Sequence, residues 1–158
     1  MTLSMQSLKY FRAVFANEAT TMDPVDCGHY PLWATTISNL GVDAGDVMLL
    51  YCAATYPTYY MSAPAIGVVL RVESGFPSLP PRPPGVSPSA IATIYYSYLP
   101  LDEQIPLEVI RARLKGQSGL RSFNGVMLSH RPLLPLTCME FRLILVNRYI
   151  VWPCPELG

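Results

Sequence analysis

Two short apolar runs joined by an aromatic-rich segment form the clearest hydrophobic pattern in the chain. The first run is Val47–Cys52 and the second covers residues 65–72, and glycine or proline bounds both of them. Short apolar runs rich in β-branched and aromatic residues are typical of buried strands rather than of helices. The pattern therefore predicts a turn at Gly45, a buried strand, an aromatic-rich loop over residues 53–64 and a second buried strand.

Hydrophobic spacing predicts further elements on both sides of this hairpin. The additional strands cover residues 8–15, 91–99 and 126–128, and the helices cover residues 34–40, 106–115 and a stretch that begins at residue 138. The first helix is short and is expected to end at Gly41, because glycine is common just after a helix. The second begins at Pro106, which suits the first turn of a helix.

The final helix has the best local signature in the chain. Thr137 and Glu140 form the T-x-x-E pattern of a capping box, in which each side chain accepts a hydrogen bond from the other residue's backbone N–H. Leu136 and Phe141 have the spacing of a hydrophobic staple across the same helix start. These four residues predict a helix N-terminus at residue 138.

The order of predicted elements is β, short α, β, β, β, α, short β, α. This order predicts an α+β fold, with a small mixed or barrel-like sheet flanked by helices. A length of 158 residues fits a single domain, 1–158, and the tail from about residue 149 is interpreted as an edge strand or a linker.

Composition favours a soluble, cytoplasmic domain. Hydrophobic residues make up 51% of the chain and charged residues 14%, yet no apolar stretch approaches the ~20 residues that a membrane helix needs. The first nine residues lack the basic and then apolar pattern of a signal peptide. We therefore expect no membrane association.

The four cysteines predict neither a disulfide framework nor a metal site. Cys27, Cys52, Cys138 and Cys154 have no C-x-x-C spacing, and Cys52 and Cys138 are expected to be buried, reduced thiols. A metal at Cys27-Gly28-His29 would need further ligands, which do not cluster in the sequence. We expect no metal and no cofactor.

Catalytic motifs are absent from the sequence. There is no nucleophile elbow, no phosphate-binding glycine loop and no pair of carboxylates in an apolar context. Ser129 and His130 would point to opposite sides of the strand predicted there, which does not suit a catalytic dyad. We therefore expect a non-catalytic protein, with a hydrolase as a distant alternative.

Charge is neutral over the whole chain but uneven along it. Lysine and arginine number 11, as do aspartate and glutamate, yet residues 109–139 contain no acidic residue. A solvated helix face and loop is the simple interpretation, and contact with phosphates is the functional one. The candidate phosphate-binding residues are Arg111, Arg113, Lys115, Arg121 and Arg131.

Aromatic residues are placed in predicted loops as well as in strands. The loop aromatics are Tyr30, Trp33, Tyr56, Tyr59, Tyr60 and Phe76. Stacking between aromatic rings holds a nucleobase at roughly 1–3 kcal/mol per stack, which suits a base flipped out of a duplex. The alternative for Trp33 is that it simply fills the core beside the short helix.

Residues 75–89 contain six prolines and predict neither a helix nor a central strand. Residues 79–84 favour an extended polyproline conformation, which is either a stiff surface loop or a ligand for an SH3-like domain. The second interpretation would make the chain a protein-interaction module.

The order of these motifs resembles that of the EVE domains and the related YTH domains of the PUA-like superfamily. The resemblance covers residues from about 9 to 146. Its parts are VDAGDVMLLY at residues 42–51, AIGVV at 65–69, IPL at 105–107, NGVML at 124–128 and LLPLTCMEF at 133–141.

The resemblance implies a small PUA-like β-barrel with flanking helices, no enzymatic activity and a pocket for a modified base. YTH domains bind N6-methyladenine, whereas EVE-like domains are associated with RNA and with DNA that carries 5-methylcytosine or 5-hydroxymethylcytosine. Some are specificity modules of McrBC-type restriction systems, which implies an AAA+ GTPase and a nuclease as partners.

Residue by residue, the resemblance implies a base-binding pocket. Asn17 matches a polar position that contacts the base, and Trp33 matches one aromatic wall. Ala34 stands where relatives often have serine or another polar residue, so a side-chain contact is missing there. The second wall and the rest of the candidate set are Phe76, Tyr59, Tyr60, Tyr30 and Tyr51.

The sequence thus predicts a reader of a modified base in DNA that works by base flipping. A reader of a modified nucleotide in RNA is the runner-up, and the protein-interaction module is the alternative of a different class.

Overall fold

The computed structural model describes residues 8–15, 29–53, 61–74 and 91–151. Its strands are β1 (Tyr10–Phe15), β2 (His29–Trp33), β3 (Val47–Cys52), β4 (Ser62–Ser74), β5 (Ile91–Pro106) and β6 (Leu133–Leu136). Its helices are α1 (Ala34–Leu40), α2 (Leu107–Arg113), α3 (Gly125–His130) and α4 (Cys138–Ile144), with a 3-10 helix at Ser118–Phe123. The α+β class predicted from the sequence is confirmed.

The six strands form one mixed sheet in the order β2-β5-β4-β3-β1-β6. β1 runs parallel to β3, and the other neighbouring pairs are antiparallel. Each edge strand contains a proline, Pro31 in β2 and Pro135 in β6. Proline lacks the N–H that a sheet ladder uses, which suits an edge strand, whereas Pro64 in the central strand β4 lies at a shift of register between Ala63 and Ala65. The hydrophobic pattern predicts neither edge strand.

The two longest strands carry irregularities that bend the sheet. β4 has 13 residues and β5 has 16, and their pairing shifts register between Ala63 and Ala65 and again between Val69 and Arg71. Such bulges increase local twist and bend. In the described residues β2 and β6 are the two edges of the sheet, so the described sheet is not closed and a barrel is not shown.

Each face of the sheet has its own core cluster. Along β1, Phe11, Ala13 and Phe15 pack into the first core cluster, with Tyr30 and with α1, while Val14 packs into the second core cluster. The second core cluster lies between the sheet and α2, the 3-10 helix and α4. Strand alternation accounts for the division, because successive side chains point to opposite faces.

Local signals set several element ends as the sequence predicts. α1 is followed by Gly41, whose positive φ of 67° is a conformation that glycine adopts readily. α4 begins with both halves of the capping box between Thr137 and Glu140. α2 begins at Leu107 with Pro106 as its N-cap, one residue later than the sequence predicts.

The prediction of a strand at residues 126–128 is wrong, because those residues belong to α3. The Asn124 side chain accepts a hydrogen bond from the Met127 N–H at 2.9 Å and so caps this helix. A run of three apolar residues does not distinguish helix from strand, and the cap decides between them. Ser129 and His130 end α3, so no strand places them on opposite sides of a sheet.

The cysteine prediction holds for one residue and fails for another. Cys52 is buried, as expected, whereas Cys138 at the start of α4 is exposed because only one face of this helix meets the core. Cys27 and Cys154 lie outside the described residues. In the described ranges no three His, Cys, Asp or Glu side chains come close enough to hold a metal ion.

The end of the described chain returns to the sheet at a single point. Ile150 forms an isolated antiparallel bridge with Leu101, short of the edge strand that was one interpretation of the tail. None of the described helices is long and apolar enough to cross a membrane.

Candidate nucleic-acid interface

Arg12 on β1 is fully buried and carries a charge. Its Nη1 donates a hydrogen bond to the Ser122 carbonyl at 2.6 Å, and its Nη2 donates to the Arg131 carbonyl. Its Nε has no hydrogen-bond partner, and no carboxylate forms an ion pair with it, within the described residues. Burial lowers the pKa of Arg12 to about 10, which leaves the guanidinium protonated at neutral pH.

A second guanidinium binds the same stretch of chain from α2. Arg111 donates from Nε and Nη2 to the Phe123 carbonyl, at 2.9 and 2.7 Å. The Phe123 ring is buried, with the Arg12 guanidinium 5.8 Å from its centroid. Residues 118–131, which we call the clamped segment, are therefore held through the carbonyls of Ser122, Phe123 and Arg131.

Glu140 anchors the first residues of the clamped segment. Its Oε2 accepts from the Gly119 N–H at 2.5 Å and from the Ser118 hydroxyl at 3.3 Å, and its Oε1 accepts from the Thr137 N–H at 2.9 Å. Desolvation raises the pKa of Glu140, but the hydrogen bonds from Thr137 and Gly119 outweigh it and the net direction is downward. The carboxylate is thus kept ionised without a cation.

Gly119 is the residue that this contact requires. A Cβ placed there would lie 2.5 Å from the Glu140 carboxyl carbon and 2.6 Å from each of its oxygens. The carboxylate cannot move away without losing the Gly119 N–H and the Thr137 N–H, so a side chain at position 119 is excluded by contact.

Two further arginines bind carbonyl groups rather than carboxylates. Arg113 donates from Nη1 to the Ile144 and Val146 carbonyls, each at 2.8 Å, at the C-terminal end of α4. Arg148 donates from Nε to the Glu103 carbonyl at 3.1 Å. The first contact satisfies carbonyls that a helix leaves unpaired at its end.

The exposed cations of residues 107–151 form no ion pairs within the described structure. Among the described residues, ion pairs involve Lys9 and Arg71 but none of the seven lysines and arginines between residues 107 and 151. Residues 107–151 contain only two acidic residues, Glu108 and Glu140, and Glu140 is buried. The exposed members without a carboxylate partner are Arg111, which binds the Phe123 carbonyl, and Lys115, Arg121, Arg131 and Arg142.

The candidate phosphate-binding residues thus divide into two groups. Arg111 and Arg113 use their guanidinium groups to bind carbonyls within the molecule, although Arg111 is exposed. Lys115, Arg121 and Arg131 are exposed, and their side chains make no such contact within the described residues. Exposed cations that are not neutralised nearby form a positive surface that attracts polyanions.

The aromatic members of the candidate base pocket do not come together in the described residues. Tyr30 is completely buried in the first core cluster, where its hydroxyl donates to the Val14 carbonyl and lies 3.0 Å from the Pro132 carbonyl oxygen. Burial raises the pKa of this hydroxyl. Tyr51 is buried in the second core cluster, with its ring edge to face with Phe123 at 6.2 Å. Both pack in the core.

The other candidate pocket residues are only partly placed. Asn17, Tyr59, Tyr60 and Phe76 lie outside the described residues. Trp33 ends β2 and Ala34 begins α1, so the backbone at this pair marks the junction of an edge strand and a helix.

Two grooves on the described surface lie beside α4 and contain none of the candidate pocket residues. One of them is lined by Cys138, Met139, Arg142, Leu143 and Val146. The other lies between β1, β6 and Leu40.

Three arginines were not among the candidate residues predicted from the sequence: Arg12, Arg142 and Arg148. Arg142 and Arg148 lie beyond the basic stretch of residues 109–139, and extending that stretch to residue 148 includes them. The sequence does not indicate that Arg12 is buried, because a lone arginine in a predicted strand normally faces solvent.

The fold is similar to that of two solved structures. The NMR structure of Rpa0253 from Rhodopseudomonas palustris matches with a TM-score of 0.52 and 14% identity, over 87% of this chain and 90% of that chain. The crystal structure of Atu2648 from Agrobacterium tumefaciens matches with a TM-score of 0.51 and 11% identity, over 86% and 90%. No protein-family model and no curated protein sequence matches the chain. At these identities, the two matches establish similarity of fold alone.

Proposed function

We propose that this chain is a non-catalytic nucleic-acid-binding domain that recognises a modified base in DNA. The observation that carries the proposal is the set of exposed cations at Lys115, Arg121, Arg131 and Arg142, which have no carboxylate partner within the described residues. A surface of this kind binds phosphates with strong salt dependence.

The base-reading part of the proposal rests on the resemblance to EVE and YTH domains. Trp33 is the proposed cage wall, with Tyr59, Tyr60 or Phe76 as its partner and Asn17 at the edge of the base. Tyr30 and Tyr51 are not part of the proposed cage, because their rings are buried in different core clusters. Stacking on such a cage is worth roughly 1–3 kcal/mol per base.

We also propose that the sheet curls toward a PUA-like barrel. The length and the bulges of β4 and β5 favour strong curvature. The Tyr30 hydroxyl, on edge strand β2, is 3.0 Å from the carbonyl oxygen of Pro132, the residue before edge strand β6. This contact supports an approach of the two edges.

Direct binding measurements test the proposal. Matched duplexes that contain 5-methylcytosine, 5-hydroxymethylcytosine, N6-methyladenine or no modification are titrated with the protein over a series of salt concentrations. We expect one modified duplex to bind more tightly than the unmodified duplex, with log K falling linearly against log salt concentration. Equal affinity for all four duplexes would contradict base reading, and the absence of salt-dependent binding would contradict the whole proposal.

Two variants separate the pocket from the phosphate contacts. Trp33→Ala should remove the preference for the modified duplex and leave the salt dependence unchanged, provided that circular dichroism shows the same fold. A combined Lys115→Gln and Arg121→Gln variant should keep the preference for the modified duplex. It should lower the slope of log K against log salt concentration by about 2. Arg71→Gln is the matched control, because Arg71 is exposed and already paired with Glu73.

Single-stranded RNA with a modified nucleotide is the competing ligand. RNA readers bind splayed, unpaired bases, whereas the proposed DNA reader must extract a base from a duplex. Tighter binding of the modified RNA at matched salt would favour the runner-up. The proposed AAA+ GTPase and nuclease partners follow from the resemblance to restriction systems. Binding of these partners is to be measured once DNA binding has been demonstrated.

A further inference from the structure

The clamped segment, residues 118–131, is held in place through its backbone. Arg12 binds the Ser122 and Arg131 carbonyls from β1, and Arg111 binds the Phe123 carbonyl from α2. Since these contacts use carbonyl oxygens, they fix the path of the chain without engaging the side chains of Arg121 and Arg131. The Arg121 and Arg131 side chains are exposed on this fixed path.

A buried arginine at position 12 costs stability, so its guanidinium group is expected to contribute something that another side chain would not. A buried charge without a counter-ion is destabilising, and an apolar side chain would pack against Phe123 without leaving Nε unpaired. What only a guanidinium supplies here is two donors in a planar fork, which reach two carbonyls nine residues apart in the chain. Lysine has one ammonium group and would not span them in the same way.

We propose that Arg12 and Arg111 are positioning residues for nucleic-acid binding, and that the clamped segment is the element that contacts the phosphate backbone. The two guanidinium groups hold the clamped segment so that Arg121 and Arg131 meet phosphates in one fixed arrangement. This inference rests on the proposed nucleic-acid binding and adds to it the contacting element and the residues that fix its shape.

Charge-conserving variants test the inference. In Arg12→Lys the net charge is unchanged, so any change in salt slope reports a change in how the cations meet the phosphates. We expect Arg12→Lys to weaken duplex binding about tenfold and to lower the slope of log K against log salt concentration by about 1 to 2. A substitution that merely destabilised the fold would reduce the folded fraction and leave the slope of the folded protein unchanged.

A double-mutant cycle identifies the residues through which Arg12 acts. The Arg121→Gln and Arg131→Gln double variant should lower the slope by about 2. Adding Arg12→Lys to that variant should cause no further decrease, because the residues that it positions are already gone. Arg71→Lys is the control for an exposed arginine outside the clamped segment, and its slope should equal that of the wild type.

The outcomes separate this inference from the proposed function. Absence of salt-dependent binding by the wild type would overturn both. Normal binding by the wild type, with the same slope in folded Arg12→Lys, would overturn only the positioning role. If Arg12→Lys does not fold, Arg111→Lys replaces it, since Arg111 is exposed and holds the same segment. An unchanged slope in folded Arg111→Lys would then overturn the inference.

Discussion

Charged side chains have different kinds of partner in two regions of the molecule, residues 8–74 and residues 107–151. In residues 8–74, the exposed cations pair with carboxylates: Lys9 with Asp43 at 2.8 Å, and Arg71 with Glu73. In residues 107–151, charged groups instead bind the backbone. There, Arg111, Arg113 and Arg148 bind carbonyl oxygens, and Glu140 accepts from N–H groups and a hydroxyl. The remaining cations of these residues are exposed and form no ion pair within the described structure.

This difference explains why a neutral protein has a basic surface. An ion pair cancels the field of both partners, whereas a charge bound to peptide dipoles keeps most of its own field. Glu140 is buried and cannot neutralise the exposed cations of its region. The total charge therefore says little about what the surface of residues 107–151 attracts.

Removing the buried carboxylate of Glu140 should have the largest effect, because this group anchors the backbone-bound region. Glu140→Ala should lower the free energy of unfolding by about 3 kcal/mol, because it leaves the Gly119 and Thr137 N–H groups without their acceptor. Unfolding in urea measures the change. A loss below about 1 kcal/mol would mean that water replaces the carboxylate and that the contact is not a structural anchor.

Gly119→Ala tests the same contact from the other side. The added methyl group would meet the Glu140 carboxylate at 2.5 to 2.6 Å, and we expect a loss of about 2 kcal/mol in unfolding free energy. Gly125→Ala is the matched control in the same segment. A Cβ there meets no atom within 4 Å, so the change should be neutral or slightly stabilising in the same urea experiment. Equal effects at the two positions would contradict the contact argument.

Acid should weaken the backbone-bound region through Glu140. The pKa of Glu140 in the folded protein is lowered from its ordinary value of 4.5, so its stabilisation is complete above that value. The stabilisation is lost as pH falls through the lower, folded pKa. Urea unfolding at several pH values should show this loss in the wild type. Glu140→Gln should show a smaller dependence below pH 4.5, and identical pH profiles would exclude Glu140 as the source.

The smallest expected effect lies in the ion-paired region. Lys9 is exposed, and its hydrogen bond to Asp43, with the charge of Asp46, raises its pKa. Exposed pairs of this kind contribute little and are screened by salt. Lys9→Gln should change the urea midpoint only slightly, and less still at high salt. A large, salt-independent loss of stability would remove the contrast with Glu140.

The candidate site was only partly predictable from the sequence. The sequence located the run of cations between Arg111 and Arg131, since charge is visible without a structure. It could not separate Lys115 and Arg121 from Arg111, because the Phe123 carbonyl comes within reach of Arg111 only when the 3-10 helix packs against α2. The aromatic set could not be resolved either, since Tyr30 and Tyr51 pack on opposite faces of the sheet.

Local patterns by themselves determined the hairpin of β3 and β4, the end of α1 at Gly41 and the start of α4 at its capping box. Each depends on residues within a few positions of one another, so the sequence contains the whole signal. The run at residues 126–128 is the exception that shows the limit, because three apolar residues fit a helix or a strand equally well.

The tertiary structure alone decided the edge strands and the role of Arg12. β2 and β6 become strands because a neighbour supplies their ladder, in spite of Pro31 and Pro135. Alternation along β1 places Arg12 on the same face as Val14, but whether that face is open or covered depends on residues far away in sequence. Its hydrogen bonds reach 110 and 119 positions along the chain, and no local pattern carries information over that distance.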